Sequence, residues 1–261
     1  MKLKRKVCVY NYAFLWYNAK DNATEVDMLR LDKYIADTGL YSRKDVKAAA
    51  KKGLITVNGA VVRDVSVRID ESSASVTYCG ERINWRRYVY VMLNKPAGYI
   101  SSTEESPKTV MKLLPEEYSK MECFPCGRLD IDTVGLLIIT NDGPLAHKLL
   151  SPKHHAEKTY YYRCSPPIGE AEARALCEGV DIGGYVTKTS KVVLESGEGG
   201  YITLTEGKFH QIKRMFEAVG SGITYLKRVE FATIPLDEGL EEGQWRELTE
   251  SEIETLREIG G

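Results

Sequence analysis

With 261 residues, the chain has room for one large domain or for a large and a small one. Its composition, 43% hydrophobic and 28% charged, is that of an ordinary globular protein and sets aside fibrous and disordered classes. The net charge of −1 hides an asymmetry. From Arg30 to Arg63, eight Lys/Arg face three Asp, a local charge of +5; from Thr233 to Gly261, nine acidic residues face Arg246 and Arg257, a local charge of −7. A basic block near one end suits a polyanion partner. The acidic tail reads more plainly as solvated surface.

No apolar run approaches the ~18 residues of a membrane span, so no membrane partner is expected. Lys2, Lys4, Arg5 and Lys6 ahead of Val7 to Tyr17 imitate a signal peptide. Asn11 and three tyrosines interrupt that stretch, and no small-residue cleavage site follows. Residues 1–27 therefore read as an extension foreign to the fold, and Met28 opens the organised sequence. The six cysteines lack framework spacing. Cys123 and Cys126 form a CxxC, but no second pair or histidine stands at zinc-finger spacing. No metal is expected, and reduced thiols in a cytoplasm are the default.

From Leu29 the pattern is helix, helix, hairpin. Ser42 is a fitting N-cap for a helix from Arg43 to Lys52, with Asp45 in its first turn. At 100° per residue, Lys44, Lys47 and Lys51 fall within about 60° of one another, opposite Val46, Ala49 and Ala50. One face packs; the other is a lysine row suited to a phosphate backbone. Gly53 ends the helix. Asn58-Gly59 between Ile55–Val57 and Ala60–Val62 predicts a type I′ hairpin, which needs positive φ at both central residues.

Glu81 to Arg87 reads as a linker, and Tyr88 to Leu93 as a buried strand. Asn94 to Tyr99 reads as a loop, because Lys95 precedes proline and Gly98 permits unusual φ. Thr109 to Leu114 is expected as a short helix. Between Gly127 and Gly143, Arg128, Asp130 and Asp132 precede an apolar strand from Leu136 to Ile139, then an Asn141-Asp142-Gly143 turn. Polar side chains held at the lip of a buried strand are well placed for binding or catalysis. A helix follows from Pro144 to Leu150. His154 and His155 would point to opposite faces of a strand, a poor arrangement for a metal. Thr159 to Cys164 reads as a strand with Tyr160, Tyr162 and Cys164 on one face. A helix from Glu170 to Glu178, paired strands at Lys191–Glu195 and Tyr201–Thr205, and a strand from Ile223 to Ile234 come next. Phe209, Ile212, Phe216 and Val219 form an apolar stripe at helical spacing, with Lys213 at its edge and Arg214 well away from it. Lys213 either snorkels to solvent or pairs with a buried carboxylate. Trp245 to Leu248 closes the sheet, and Glu250 to Ile259 is a last helix.

These motifs carry a resemblance. Met92-Leu-Asn-Lys-Pro-Ala-Gly-Tyr99, Gly127-Arg-Leu-Asp-Ile-Asp-Thr133, Ser151-Pro-Lys-His-His155 with Glu157-Lys-Thr-Tyr160, and Glu206-Gly-Lys-Phe-His-Gln-Ile-Lys-Arg-Met-Phe216 resemble the bacterial ribosomal small-subunit pseudouridine synthase A family. Leu29 to Ile35 and the Asn58-Gly59 hairpin are similar to the small αL RNA-binding domain, like that of ribosomal protein S4, that precedes the catalytic domain in these enzymes. The resemblance spans about Met28 to Glu254. Residues 1–27 and the Cys123/Cys126 pair depart from it.

The resemblance implies an α+β protein in three parts: an extension at 1–27, an αL domain at 28–81, and a catalytic domain at 88–254 built on a mainly antiparallel sheet flanked by helices. It implies that Asp130 is the catalytic carboxylate, that Tyr160 stacks on the flipped uracil, and that Lys213 pairs with Asp130 and keeps it ionised. Arg128 is expected to reach into the RNA. The remaining RNA contacts are expected from Arg43, Lys44, Lys47 and Lys51 on the αL helix and from Lys95, His210 and Arg214 within the matching motifs. No cofactor is implied. The implied partner is 16S rRNA or the assembling small ribosomal subunit, acted on by a cytoplasmic monomer. A large-subunit (23S) target, a non-catalytic ribosome-assembly module and a glycosidase using Asp130 and Asp132 are the competing readings. The last is disfavoured because two residues is a poor spacing for paired carboxylates and a sugar hydrolase has no use for the lysine row.

Overall fold

The computed structural model describes residues 28–104, 106–151, 156–195 and 199–260. The expectations for residues 1–27 and for His154 and His155 fall outside these residues.

The N-terminal part begins with β1 (Met28–Arg30), α1 (Leu31–Ala36) and α2 (Arg43–Lys51). Ser42 caps α2, and its hydroxyl and the Asp45 carboxylate each accept a backbone N–H from the other residue. Val46, Ala49 and Ala50 are buried, while Lys44, Lys47 and Lys51 are exposed, as the 100° periodicity predicts. Then come β2 (Ile55–Val57), β3 (Ala60–Val61), β4 (Arg68–Asp70), β5 (Val76–Tyr78) and β6 (Glu81–Arg82). Asn58 (φ 50°) and Gly59 (φ 81°) make the left-handed turn between β2 and β3. A small core of Leu31, Tyr34, Ile35, Val46, Ile55 and Val76 ties these elements together.

The stretch read as a linker is more ordered than its composition suggested. Glu81 and Arg82 pair with β5, Ile83 is buried in the small core, and the Trp85 ring stacks on Tyr34 at 5.2 Å. Local charge at Glu81, Arg82, Arg86 and Arg87 masked two apolar anchors between them.

The larger part contains β7 (Tyr90–Lys95), a 3-10 turn at Val110–Leu113, α3 (Glu116–Lys120), β8 (Phe124–Pro125), β9 (Val134–Thr140) and α4 (Gly143–Leu150). It continues through β10 (Lys158–Ser165), α5 (Glu170–Glu178), β11 (Lys191–Leu194), β12 (Gly199–Leu204) and α6 (Gln211–Ala218). β13 (Gly222–Phe231), β14 (Ile234–Pro235), β15 (Trp245–Glu247) and α7 (Glu250–Gly260) end it. The main sheet runs β11-β12-β10-β13-β9-β7-β15, with β14 beside β13 and β8 beside β9. Among the described pairings in this sheet, β9 with β13 is the parallel one.

β7 and β9 are buried at every residue because helices cover both of their faces. Val91, Leu93, Leu137 and Ile139 meet α5 and α6 residues Leu176, Ile212, Met215 and Phe216 on one side. Tyr90, Met92, Leu136 and Ile138 meet Leu145 and Leu149 of α4 and Ile253 and Leu256 of α7 on the other. A strand sandwiched this way reads as a continuous apolar run, which is why both were visible in the sequence.

β9 and β13 approach closely at Gly135 (φ +99°), where a Cβ would sit 2.3 Å from the Arg228 carbonyl oxygen. Gly135→Ala would therefore combine left-handed strain with a backbone clash. It is expected to cost on the order of 3 kcal/mol or more, read as a lowered urea midpoint. An unchanged midpoint would mean that the two strands separate freely.

Candidate active site

The segment from Gly127 to Thr133 joins β8 to β9 without regular structure, and a buried cation holds it from beneath. Lys95 is 0% exposed at the end of β7. Its Nζ donates to the carbonyl oxygens of Thr133 (2.8 Å), Asp130 (3.1 Å), Pro96 (3.2 Å) and Ile131 (3.3 Å). Burial pushes this ammonium down to about 8, against the nearby charges of Asp132 and Asp130. Two further contacts complete the loop. The buried Ser101 hydroxyl accepts from the Leu129 N–H and donates to the Leu129 carbonyl, both at 3.1 Å. The Gly98 N–H donates to the Ile131 carbonyl at 2.7 Å.

The second wall is the start of α6. His210, at the N-cap, adopts a left-handed φ of 51°. A buried carboxylate network organises the approach. Glu206 accepts from the Tyr185 hydroxyl (2.6 Å), the Gln211 amide (2.7 Å) and the Lys188 N–H (3.0 Å), and the Gln211 side chain accepts from the Lys208 N–H (2.8 Å). Burial would raise the Glu206 pKa, but these donors outweigh it and leave the group below its ordinary value.

Where the walls meet, Asp130, Asp132, His210 and Lys213 come together. Lys213 Nζ donates to both Asp132 oxygens, at 2.6 and 2.8 Å, and lies 3.5 Å from Asp130. His210 Nε2 is 3.8 Å from Asp130. Asp130 thus has an ion pair with Lys213 but, among the described residues, accepts no hydrogen bond on its carboxylate. Burial pushes Asp132 up, yet the Lys213 hydrogen bond and charge prevail, so its pKa is lowered. Tyr160 is 9% exposed and lies in the same cluster as Leu129 and Ile212, the neighbours of Asp130 and Lys213. Arg128 is exposed at the loop's rim.

Three expectations need correction or adjustment. Lys95 is not available to RNA, because its ammonium is spent inside the protein on backbone carbonyls. Lys213 does pair with Asp130, at 3.5 Å, but its hydrogen bonds go to Asp132, which that expectation leaves out. Phe209 is not core. It precedes α6, is 73% exposed, and stacks on His210 with ring centroids 3.8 Å apart; Met215 fills the buried position instead. Arg214 lies against the turn at Gly183 and Gly184, where a Cβ on Gly183 would come 2.9 Å from its guanidinium. Arg43, Lys44, Lys47 and Lys51 line a concave strip along α2. Among the described residues, no group of three His, Cys, Asp or Glu converges as metal ligands. The part played by Asp132 had no signal separating it from Asp130. That of Lys95 had one: it follows the apolar run 90–93 with Asn94 alone between them.

Lys95→Met removes the donor shared by four carbonyls and is expected to lower stability by on the order of 2–4 kcal/mol at neutral pH. The effect should depend on pH. Because the folded pKa lies below the ordinary value, the unfolded chain binds more protons between about 8 and the ordinary lysine range. Stability from this group therefore rises with pH through that window. Denaturation midpoints taken from pH 7 to pH 10 should show the gap between wild type and variant widening. A gap that narrows would contradict the burial argument.

Comparison with known proteins agrees with this geometry. The family model for RNA pseudouridylate synthase matches residues 89–218, and that for the S4 domain matches residues 29–74. An uncharacterized RNA pseudouridine synthase, YtzG, of Bacillus subtilis (strain 168) is 45% identical over 236 residues, covering 88% of this chain and 99% of the relative. Ribosomal small subunit pseudouridine synthase A of Haemophilus influenzae is 36% identical over 231 residues, covering 87% and 99%. A crystal structure of a pseudouridylate synthase, 36% identical, superposes with a TM-score of 0.62 over 87% of this chain and 99% of that one. The chain therefore belongs to the RNA pseudouridylate synthase family and is an isomerase of uridine in RNA, with an N-terminal S4 domain ahead of its catalytic domain.

Proposed function

We propose that this enzyme converts one uridine of 16S rRNA to pseudouridine in the assembling small ribosomal subunit, as a cytoplasmic monomer, with Asp130 as its catalytic carboxylate. The small-subunit assignment is supported by the relatives that carry that name. The role of Asp130 is supported by one contrast. Asp132 has both oxygens occupied by Lys213, whereas Asp130 has the charge of Lys213 nearby and its lone pairs free. A carboxylate that attacks a carbon or removes a proton needs that combination.

In the reaction the base leaves through N1 and returns through C5. The uridine must first leave its stack, at roughly a few kcal/mol. Arg128, at the rim, helps hold the opened strand. Tyr160 gives the uracil a ring to lie on, with Leu129 and Ile212 packed around it. Lys213 sets a positive charge beside both carboxylates as the substrate excludes water. His210 and Phe209 form the outer edge of the same wall. The α2 strip of Arg43, Lys44, Lys47 and Lys51 supplies affinity through phosphates and carries no base selection.

Two predictions follow from these roles. Asp130→Asn should bind RNA but lose turnover by a thousandfold or more, at least ~4 kcal/mol in barrier. Asp132→Asn should retain measurable turnover, because Lys213 is already within ion-pair reach of Asp130. Single-turnover conversion of radiolabelled uridine in small subunits and in 16S and 23S rRNA separates these outcomes and also the targets. Normal turnover by Asp130→Asn, checked for deamidation, overturns the mechanism; conversion confined to 23S overturns the target. Changing Lys44, Lys47 and Lys51 to Ala should flatten the salt dependence of RNA binding by up to ~0.9 log–log units per lost contact on duplex-like RNA, taking the duplex DNA value. An unchanged slope would remove α2 from the interface.

A further inference from the structure

The two faces of the catalytic sheet are covered unequally. α5 and α6 pack along β10, β12 and β13 on the side that holds Tyr160 and Tyr162. On the opposite side, α4 and α7 cover β7 and β9 and reach the Phe231 end of β13. Among the described residues, the apolar cluster under α4 and α7 takes in no residue of β10 or β12 and, of β13, only Phe231 at its end. Strand alternation puts Tyr161, Arg163, Tyr201, Tyr225 and Lys227 on this face. With Val229 they line a shallow depression.

The arrangement is more than a solvated strand surface with good β-formers. Tyr161 faces Tyr201 across one strand pair and Lys227 across the other, and Arg163 faces Tyr225. The Tyr161 ring lies 5.4 Å from Tyr201 at 64° and 6.3 Å from Tyr225 at 63°. The Arg163 guanidinium sits 5.8 Å over the Tyr225 ring. All three rings are half-exposed. The depression has two cations and no carboxylate in its lining. Outside the lining, Glu157 is paired with Lys191, and burial, joined by the charge of Glu242, raises Tyr225.

We propose that this face is a second RNA surface, which takes a single-stranded segment of the RNA whose uridine is isomerised on the opposite side of the sheet. Half-exposed rings with interleaved cations match the two needs of a single strand: base faces to stack and phosphates to neutralise. Such a segment is at hand, because a base can be flipped most cheaply where the strand is already unpaired. The charge of the lining is complementary to RNA, and the lining is too polar for an apolar protein contact. The proposal depends on the family reaction, not on which ribosomal RNA is the target.

The test uses the full chain and a labelled oligoadenosine of about 20 nucleotides, long enough for single-strand sites of this kind. It contains no uridine, so the result is independent of turnover and of the 16S assignment. Tyr161→Ser, Tyr201→Thr and Tyr225→Thr together should weaken binding on the order of tenfold or more. The three corresponding Tyr→Phe changes should restore it, because the ring and not the hydroxyl carries the contact. Arg163→Gln with Lys227→Gln should flatten the salt dependence by about 1.4 log–log units, two single-strand phosphate contacts. Thermal melting checks the fold. If the triple variant is unfolded, photocrosslinking of wild type to an 8-azidoadenosine form of the probe decides, and labelled peptides from β10, β12 or β13 support the proposal. Binding unchanged by the tyrosine variants, crosslinks confined to the S4 domain and the Asp130 loop, or a change in sedimentation with RNA affinity intact would overturn it. The last result would make the face an interface between copies of this chain.

Discussion

The loop that carries Asp130 and Asp132 depends on one buried ammonium. Lys95 sits under residues 130–133 and satisfies carbonyls that would otherwise face one another across a turn. Carbonyl dipoles that converge repel, and a cation at their focus turns repulsion into cohesion. The cost is a desolvated charge, visible in its lowered pKa. The two aspartates above it return part of that cost. Loop shape and loop charge are therefore one electrostatic arrangement: the lysine fixes the backbone that carries the acids, and the acids keep the lysine charged at neutral pH.

A second lysine does the complementary task from above. Lys213 belongs to a helix whose position is set by Met215 and Phe216 in the core and by the Glu206 network at its start. Its ammonium takes Asp132 as hydrogen-bond partner and Asp130 as neighbour. The loop is thus clamped between two cations, one wholly buried and one partly exposed. That division suits a site which must stay rigid below and admit a base above.

Much of the fold was legible because its elements have a single period. β7 and β9 are buried throughout and apolar except at their ends, β10 alternates, and α2 carries its cap, stripe and lysine row in one short span. The hairpin at Asn58-Gly59 was legible from backbone chemistry alone. The motifs, through the family they resemble, pointed to the loop at Asp130 and the helix at Lys213. What could not be read is which partner each charge chooses. A lysine two turns from nowhere in sequence can meet either of two aspartates, and only the course of the loop past Ile131 brings Asp132 closer. Lys95 was misread because lysine is nearly always a surface residue, and a following proline makes a loop the natural inference. Phe209 was misread because helical spacing was extended one residue past a start that His210 sets with a left-handed φ.

The close approach of β9 and β13 at Gly135 has a consequence for the making of the protein. The strand that begins at the end of the Asp130 loop finds its parallel neighbour more than ninety residues later, where Arg228 also donates to the Leu136 carbonyl at 2.7 Å. A chain emerging from its N-terminus can complete the S4 domain early, since its contacts are local. It cannot complete the carboxylate pocket until β13 has emerged. RNA capture thus becomes possible before uridine chemistry does, and a chain that stops short of β13 carries an RNA-binding module without a finished site. Parallel pairing across so long a separation is slow to form, so vectorial synthesis separates the two capacities in time.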